Sequence, residues 1–156
     1  MKEVLELSRN EKVWIRLFAA ATVVQRAREL ELAKVGITPI QAGVLLILKT
    51  ATKPVTPTQL ARTLYREPHS MSALLQRMEK QGLIQRTKDL AQKNLVRISI
   101  TRKGEEAFKR QWAAKVTTNI SSCLSDKEAS MLETCLEKLR ARAVEIVREM
   151  QPTPYD

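Results

Sequence analysis

The chain has 156 residues, 44% of them apolar and only six aromatic, enough for one ordinary core of Leu, Ile, Val, Ala and Met. That apolar share excludes a disordered tail, and two cysteines exclude a disulfide framework. A formal charge of +10 points to polyanionic partners, nucleic acid or anionic lipid.

The opening residues, MKEVLELSRNEK, are charged where a secretory signal needs an apolar run. A first helix is expected over residues 11–34. Val13, Leu17, Ala20, Val24, Ala27 and Leu30 form one apolar strip, and Trp14, Ile15, Phe18 and Ala21 form another beside it. A helix apolar on two sides must bury two sides, and a second subunit is the expected cover. Thr38-Pro39-Ile40-Gln41 opens the next helix: threonine caps, proline suits the first turn, and glutamine closes a capping box. Thr56-Pro57-Thr58-Gln59 repeats the device for a short helix burying Leu60, Ala61 and Leu64, with Val55 before it in a possible short strand.

A third proline start, Pro68, opens a helix with Met71, Leu74, Leu75 and Met78 on one face, ending at Gly82. Its other face reads His69, Ser70, Ser72, Ala73, Gln76, Arg77 and Lys80, polar and not acidic. The period then changes. Residues 83–88 and 95–100 are short and β-branched, two antiparallel strands joined by the polar tip Asp89-Leu90-Ala91-Gln92-Lys93-Asn94. Thr101 caps one long helix expected to run through Trp112 and Val116 to about residue 122. Ser125 and Glu128 box the last helix, striped by Leu132, Leu136, Leu139, Ala143, Ile146 and Met150.

The fold class that follows is mainly α with a small antiparallel β-hairpin: a winged helix-turn-helix plus a helical dimerisation frame. Residues 53–110 hold 13 Lys/Arg against 5 Asp/Glu, so the charge is concentrated on this lobe. The major groove of B-DNA admits one helix with a buried apolar face and an outward polar one, which residues 68–81 provide. Small Ser70, Ser72 and Ala73 allow close approach, Gln76 can pair with adenine, and Arg77 can pair with guanine or grip a phosphate. His69 lies on the same face. Arg62, Arg66, Arg86, Lys88 and Arg97 are candidates for phosphate contacts, and Lys93 with Asn94 for the minor groove or backbone.

The stretch 37–104 resembles the MarR family of winged-helix regulators. The resemblance is carried by Ile37-Thr38-Pro39-Ile40-Gln41 with Val44-Leu45, by Gln59-Leu60-Ala61, and by residues 70–75. It continues through Arg77-Met78-Glu79-Lys80-Gln81-Gly82-Leu83-Ile84 with Arg86, and Ile100-Thr101-Arg102-Lys103-Gly104. It implies a single MarR-like domain over 1–156, with a DNA-binding lobe at 37–104 and a dimerisation region at 1–36 and 105–150. It also implies a homodimer on a palindromic operator of double-stranded DNA, acting as a transcriptional regulator and by default a repressor, with no cofactor. Relatives bind a small apolar or aromatic effector between frame and lobe, for which Trp14, Phe18, Val44 and Trp112 are candidates. In the wing, Lys93 stands where the family carries arginine; as a point charge it lacks the bidentate fork and suits a generic phosphate contact.

Other classes fare worse. Cys123 and Cys135 have no nearby histidine in sequence and are expected to be buried packing residues rather than redox sensors. One histidine and two scattered cysteines do not make a closed zinc site. No Gly-rich phosphate loop or nucleophile motif marks an enzyme. The apolar runs are too short to span a bilayer, so a cytoplasmic protein without a membrane partner is expected. The rival from another class is a winged-helix protein-interaction module without sequence-specific DNA readout.

Overall fold

A computed structural model of the chain describes residues 6–88, 95–113 and 115–150. The elements run α1 (Arg9–Ala33), α2 (Pro39–Thr50), α3 (Pro57–Thr63), α4 (Pro68–Lys80), β1 (Ile84–Lys88), β2 (Val96–Ile100), α5 (Arg102–Ala113), α6 (Val116–Ser121) and α7 (Asp126–Met150). This is the mainly helical winged helix-turn-helix the sequence leads one to expect. The chain divides into two units, the first ending at Thr117 and the second beginning at Thr118.

Capping chemistry fixes where the helices start. Thr38 and Thr56 each accept a bond from the amide three residues on, and the side-chain oxygens of Gln41 and Gln59 accept one from the cap amide in turn. The same reciprocal box, Ser8 with Glu11, opens α1, and Ser125 with Glu128 opens α7. Each box satisfies amides that the first turn leaves without an intrahelical acceptor. Helix α4 starts on Pro68 without such a cap.

Helix ends follow a second rule. Leu83 N–H donates to Met78 O and Gly82 N–H to Glu79 O, the Schellman pattern, with Gly82 at φ 72°. Gly36, at φ 77°, closes the end of α1 in the same way. The end of α3 repeats it, with Arg66 N–H on Ala61 O and Tyr65 N–H on Arg62 O. Its left-handed residue is Tyr65, at φ 49°. A side chain with a Cβ in that region costs on the order of 1–2 kcal/mol.

The core of the first unit gathers Leu32 of α1, Val44 and Leu45 of α2, Leu60 and Ala61 of α3, and Met71, Leu74, Leu75 and Met78 of α4. Leu83, Ile84, Ile98 and Ala107 complete it. The two strands pair antiparallel, Ile84 opposite Ile100 and Lys88 opposite Val96, and Val55 adds a bridge to Ile98. Gly104 lets α5 lie against the hairpin base: a Cβ there would stand 2.0 Å from Leu83 O. Thr101 caps α5 through its bond from the Gly104 amide and donates its hydroxyl to Gly82 O.

Two expectations are corrected. The single helix anticipated from Thr101 to about residue 122 is interrupted. α5 ends at Ala113, Lys115 is non-helical and α6 starts at Val116. The Val116 amide donates 2.8 Å to the Glu31 carboxylate of α1 instead of continuing a helical ladder. Burial acts to raise the Glu31 carboxyl, but that amide and Arg28 outweigh it and hold it below the ordinary carboxylate range. Cys123 and Cys135, expected to be buried, are both exposed. Cys135 lies on α7, none of whose residues is buried within the chain, and Cys123 stands in the exposed turn that precedes it.

Candidate nucleic-acid interface

Helix α4 separates its two faces cleanly. Met71, Leu74, Leu75 and Met78 are buried, while His69, Ser70, Ser72, Gln76, Arg77 and Lys80 are exposed and Ala73 is half-buried. Two brackets fix its far end. Buried Gln41 donates from Nε2 to Gln81 Oε1 at 2.7 Å, tying the start of α2 to the end of α4. Lys103 Nζ reaches Gln81 O at 2.7 Å from α5. The outward face is therefore carried on a helix held by its core contacts and by polar ties.

Of the candidate phosphate contacts, Arg62 on α3, Arg66 in the following turn and Lys88 at the end of β1 are exposed. Arg66 lines a surface depression with Ser70 and Arg77, which brings the turn and α4 to one surface. Arg97 is half-buried on β2. Lys93 and Asn94 lie outside the described residues, as does the rest of the wing tip from Asp89 to Gln92.

Arg86 is placed differently from the others. Strand alternation puts it on the same side as Ile84, opposite Ile98, and there it meets Glu79 of α4. Its Nε donates 2.7 Å to one carboxylate oxygen and its amide 3.1 Å to the other. The Arg86 guanidinium holds the Glu79 carboxyl below its ordinary range, against a smaller opposing effect of burial. The charge that sequence reading offered to a phosphate is paired with Glu79 at the half-buried junction of α4 and the wing strand. The period-2 pattern around Ile84 carried that signal.

The effector candidates also separate. Val44 is fully buried in the core. Trp14 and Phe18 stack on each other along α1 with centroids 6.4 Å apart, and both are mostly exposed rather than packed into a core. Trp112, 69% exposed, lines a cavity of about 180 Å³ with Arg28, Leu32, Ala42, Leu46 and Gln111. Sequence reading missed Arg28 and Gln111, the polar groups of that cavity. Among the described residues, no helix is long and apolar enough to cross a membrane.

The sequence profile of the MarR family matches residues 35–97, from the end of α1 into β2. An HTH-type transcriptional regulator of Bacillus cereus is 28% identical over 130 residues, covering 81% of this chain and 86% of the relative. The crystal structure of the organohalide-sensing transcriptional regulator RdhR-CbdbA1625, in its 2,4-dichlorophenol-bound form, is 28% identical and covers 99% of both chains with a TM-score of 0.83. A mutant MarR from E. coli complexed with operator DNA shares the fold at 20% identity and a TM-score of 0.75, over 82% of this chain and 93% of that one. With its capped helix-turn-helix, outward polar face and antiparallel wing strands, this chain has the winged-helix fold and is similar to transcriptional regulators of the MarR family.

Proposed function

We propose that the chain regulates transcription in the cytoplasm as a homodimer bound to a palindromic operator, by default as a repressor. The observation that carries this is the division of α4 into a buried apolar face and an exposed face of His69, Ser70, Ser72, Gln76 and Arg77. Such a helix fits the major groove, where Gln76 and Arg77 reach base edges. Residues 37–104 form the DNA-binding lobe. Arg62, Arg66, Lys88 and Arg97 set its register on the phosphates, and Lys93 and Asn94 contact the neighbouring groove or backbone. Arg86 serves by holding the wing strand to α4 through Glu79 rather than by meeting DNA.

Residues 1–36 and 105–150 form the dimer frame. Trp14, Phe18 and Val23 on α1 are mostly exposed, and Leu132, Leu136 and Leu139 on α7 are each more than 40% exposed. Uncovered apolar rows of that length suit a second copy of the same chain. In such a dimer the two α4 helices lie about 34 Å apart, one duplex turn. The cavity beside Trp112 and Arg28 suits a small aromatic effector. Its binding would favour a spacing of the lobes that no longer matches the groove. The dichlorophenol-bound relative supports that reading.

The test is a titration of the purified protein against a labelled fragment from the intergenic region beside its own gene, with an unrelated duplex as control. Tighter binding to the cognate fragment, weakened by added salt, is expected. Equal weak binding to both would leave only charge attraction. Failure of a folded dimer to bind either would favour the protein-interaction reading.

A further inference from the structure

Helix α5 borders two cavities that share no lining residue. Gln111 and Trp112 face the one beside Arg28, whereas Lys103, Ala107 and Arg110 line a second, of about 130 Å³. These three stand at positions i, i+4 and i+7, along one face of the helix. Val35 and Ile37, from the turn after α1, and Leu83, ahead of β1, give the second cavity an apolar wall. Among its described lining residues are two cations and no carboxylate.

The carboxylates of α5 are committed elsewhere, Glu105 to Lys49 at 2.9 Å and Glu106 to Arg102 at 3.2 Å. Lys103 Nζ has one acceptor, the uncharged carbonyl of Gln81 at 2.7 Å, which holds the ammonium in place and leaves two of its three N–H bonds over. The Arg110 guanidinium makes no hydrogen bond or ion pair with a described residue. An apolar wall beside two uncompensated charges suits a ligand with matching halves. We infer that this cavity binds a small organic anion: a carboxylate taken by Lys103 and Arg110, joined to a compact apolar body resting on Val35, Ile37, Leu83 and Ala107. Enclosed cavities of about 150 Å³ accommodate benzene, so a body of one ring or a short branched chain is the size that fits. The site is separate from the cavity beside Trp112, where Arg28 is already paired with Glu31. It stands whether or not the chain binds DNA.

Benzoate is the probe and benzamide, its neutral counterpart, the control. Each is titrated into the isotope-labelled full chain at constant ionic strength, with amide shifts followed by NMR. Benzoate should move the amides of Leu83, Ala107 and Arg110 to saturation, and benzamide should bind at least about tenfold more weakly. Lys103→Gln and Arg110→Gln should each weaken benzoate about tenfold and keep Tm within about 3 °C, as exposed positions allow. Arg110→Lys, which keeps the charge, should bind within about threefold of the unaltered protein. Because Lys103 also ties Gln81, the two Arg110 variants decide the matter if Lys103→Gln loses its fold. Equal affinity for benzamide, undiminished benzoate binding in Arg110→Gln, or shifts confined to Ala42, Leu46 and Gln111 around the other cavity would each overturn the inference. So would sulfate that moves the same amides as far, the mark of a generic anion patch. The absence of saturable shifts up to the solubility of sodium benzoate would overturn it as well.

Discussion

Glu79 and Arg86 are joined twice, once through the arginine side chain and once through its backbone amide, across the Gly82 turn that separates α4 from β1. One carboxylate therefore fixes both the direction of the wing strand and the position of its arginine relative to the recognition helix. The pairing lowers the folded-state pKa of Glu79 below the ordinary value, so its contribution is complete above about pH 4.3. That contribution is lost as the pH falls through the lower folded value. The urea midpoint of the unaltered protein should fall more steeply than that of Glu79→Gln on going from about pH 5 to about pH 3. Parallel curves would show that the pair adds nothing to folding.

Gly104 makes a sterically sharper prediction. Its missing side chain lies against Leu83 O at 2.0 Å and Ile100 Cγ1 at 2.8 Å, one backbone and one branched neighbour. Gly104→Ala must push α5 off the hairpin and should lower stability by on the order of 3 kcal/mol in chemical denaturation. Gly36, with open space around it but φ 77°, should lose only about 1–2 kcal/mol as alanine.

Adjacent residues on α4 should separate stability from binding. Leu75→Ala opens the core and should cost about 3 kcal/mol of folding free energy. Exposed Gln76→Ala should leave stability within about 0.5 kcal/mol while weakening cognate-duplex binding about tenfold. Measuring both quantities on both variants checks the face assignment. Weakened folding in Gln76→Ala would count against it.

Gln41 is buried and serves two purposes: its carbonyl oxygen accepts from the Thr38 amide at 2.9 Å and its amide nitrogen donates to Gln81. Gln41→Ala should cost about 1–3 kcal/mol, more than the loss of the cap alone. In a double-mutant cycle with Gln81→Ala, a coupling energy near zero would show that the inter-helix bond carries no weight.

Leu136 is part of an apolar row left open on α7. Leu136→Glu should weaken self-association about 30-fold or more, read by analytical ultracentrifugation, and should lower duplex affinity with it. A stable dimer of this variant would place the interface elsewhere.

Much of the lobe was legible because capping is local chemistry. Thr38 with Gln41 and Thr56 with Gln59 announce their helices within four residues, and the structure forms both boxes. Ser8 with Glu11 carries the same signature and set the true start of α1, two residues before the one expected from apolar spacing. The break after Ala113 was not legible, because it depends on Glu31, far away in sequence. Nor was the end of α3, where no glycine marks the left-handed residue. At the candidate interface, the outward face of α4 followed from helical period alone. The inward engagement of Arg86 needed strand phase and a partner on another element to be considered together. The exposure of Cys123 and Cys135 could not be inferred from residue type, which favours burial for cysteine wherever packing is available.

The open apolar rows on α1 and α7 bear on how such a protein would be maintained in a cell. A chain whose helices are covered only by a second copy has a lifetime that depends on its own abundance. If these rows pair in a dimer, a chain without its partner would present them to the chaperones and proteases that triage exposed apolar surface.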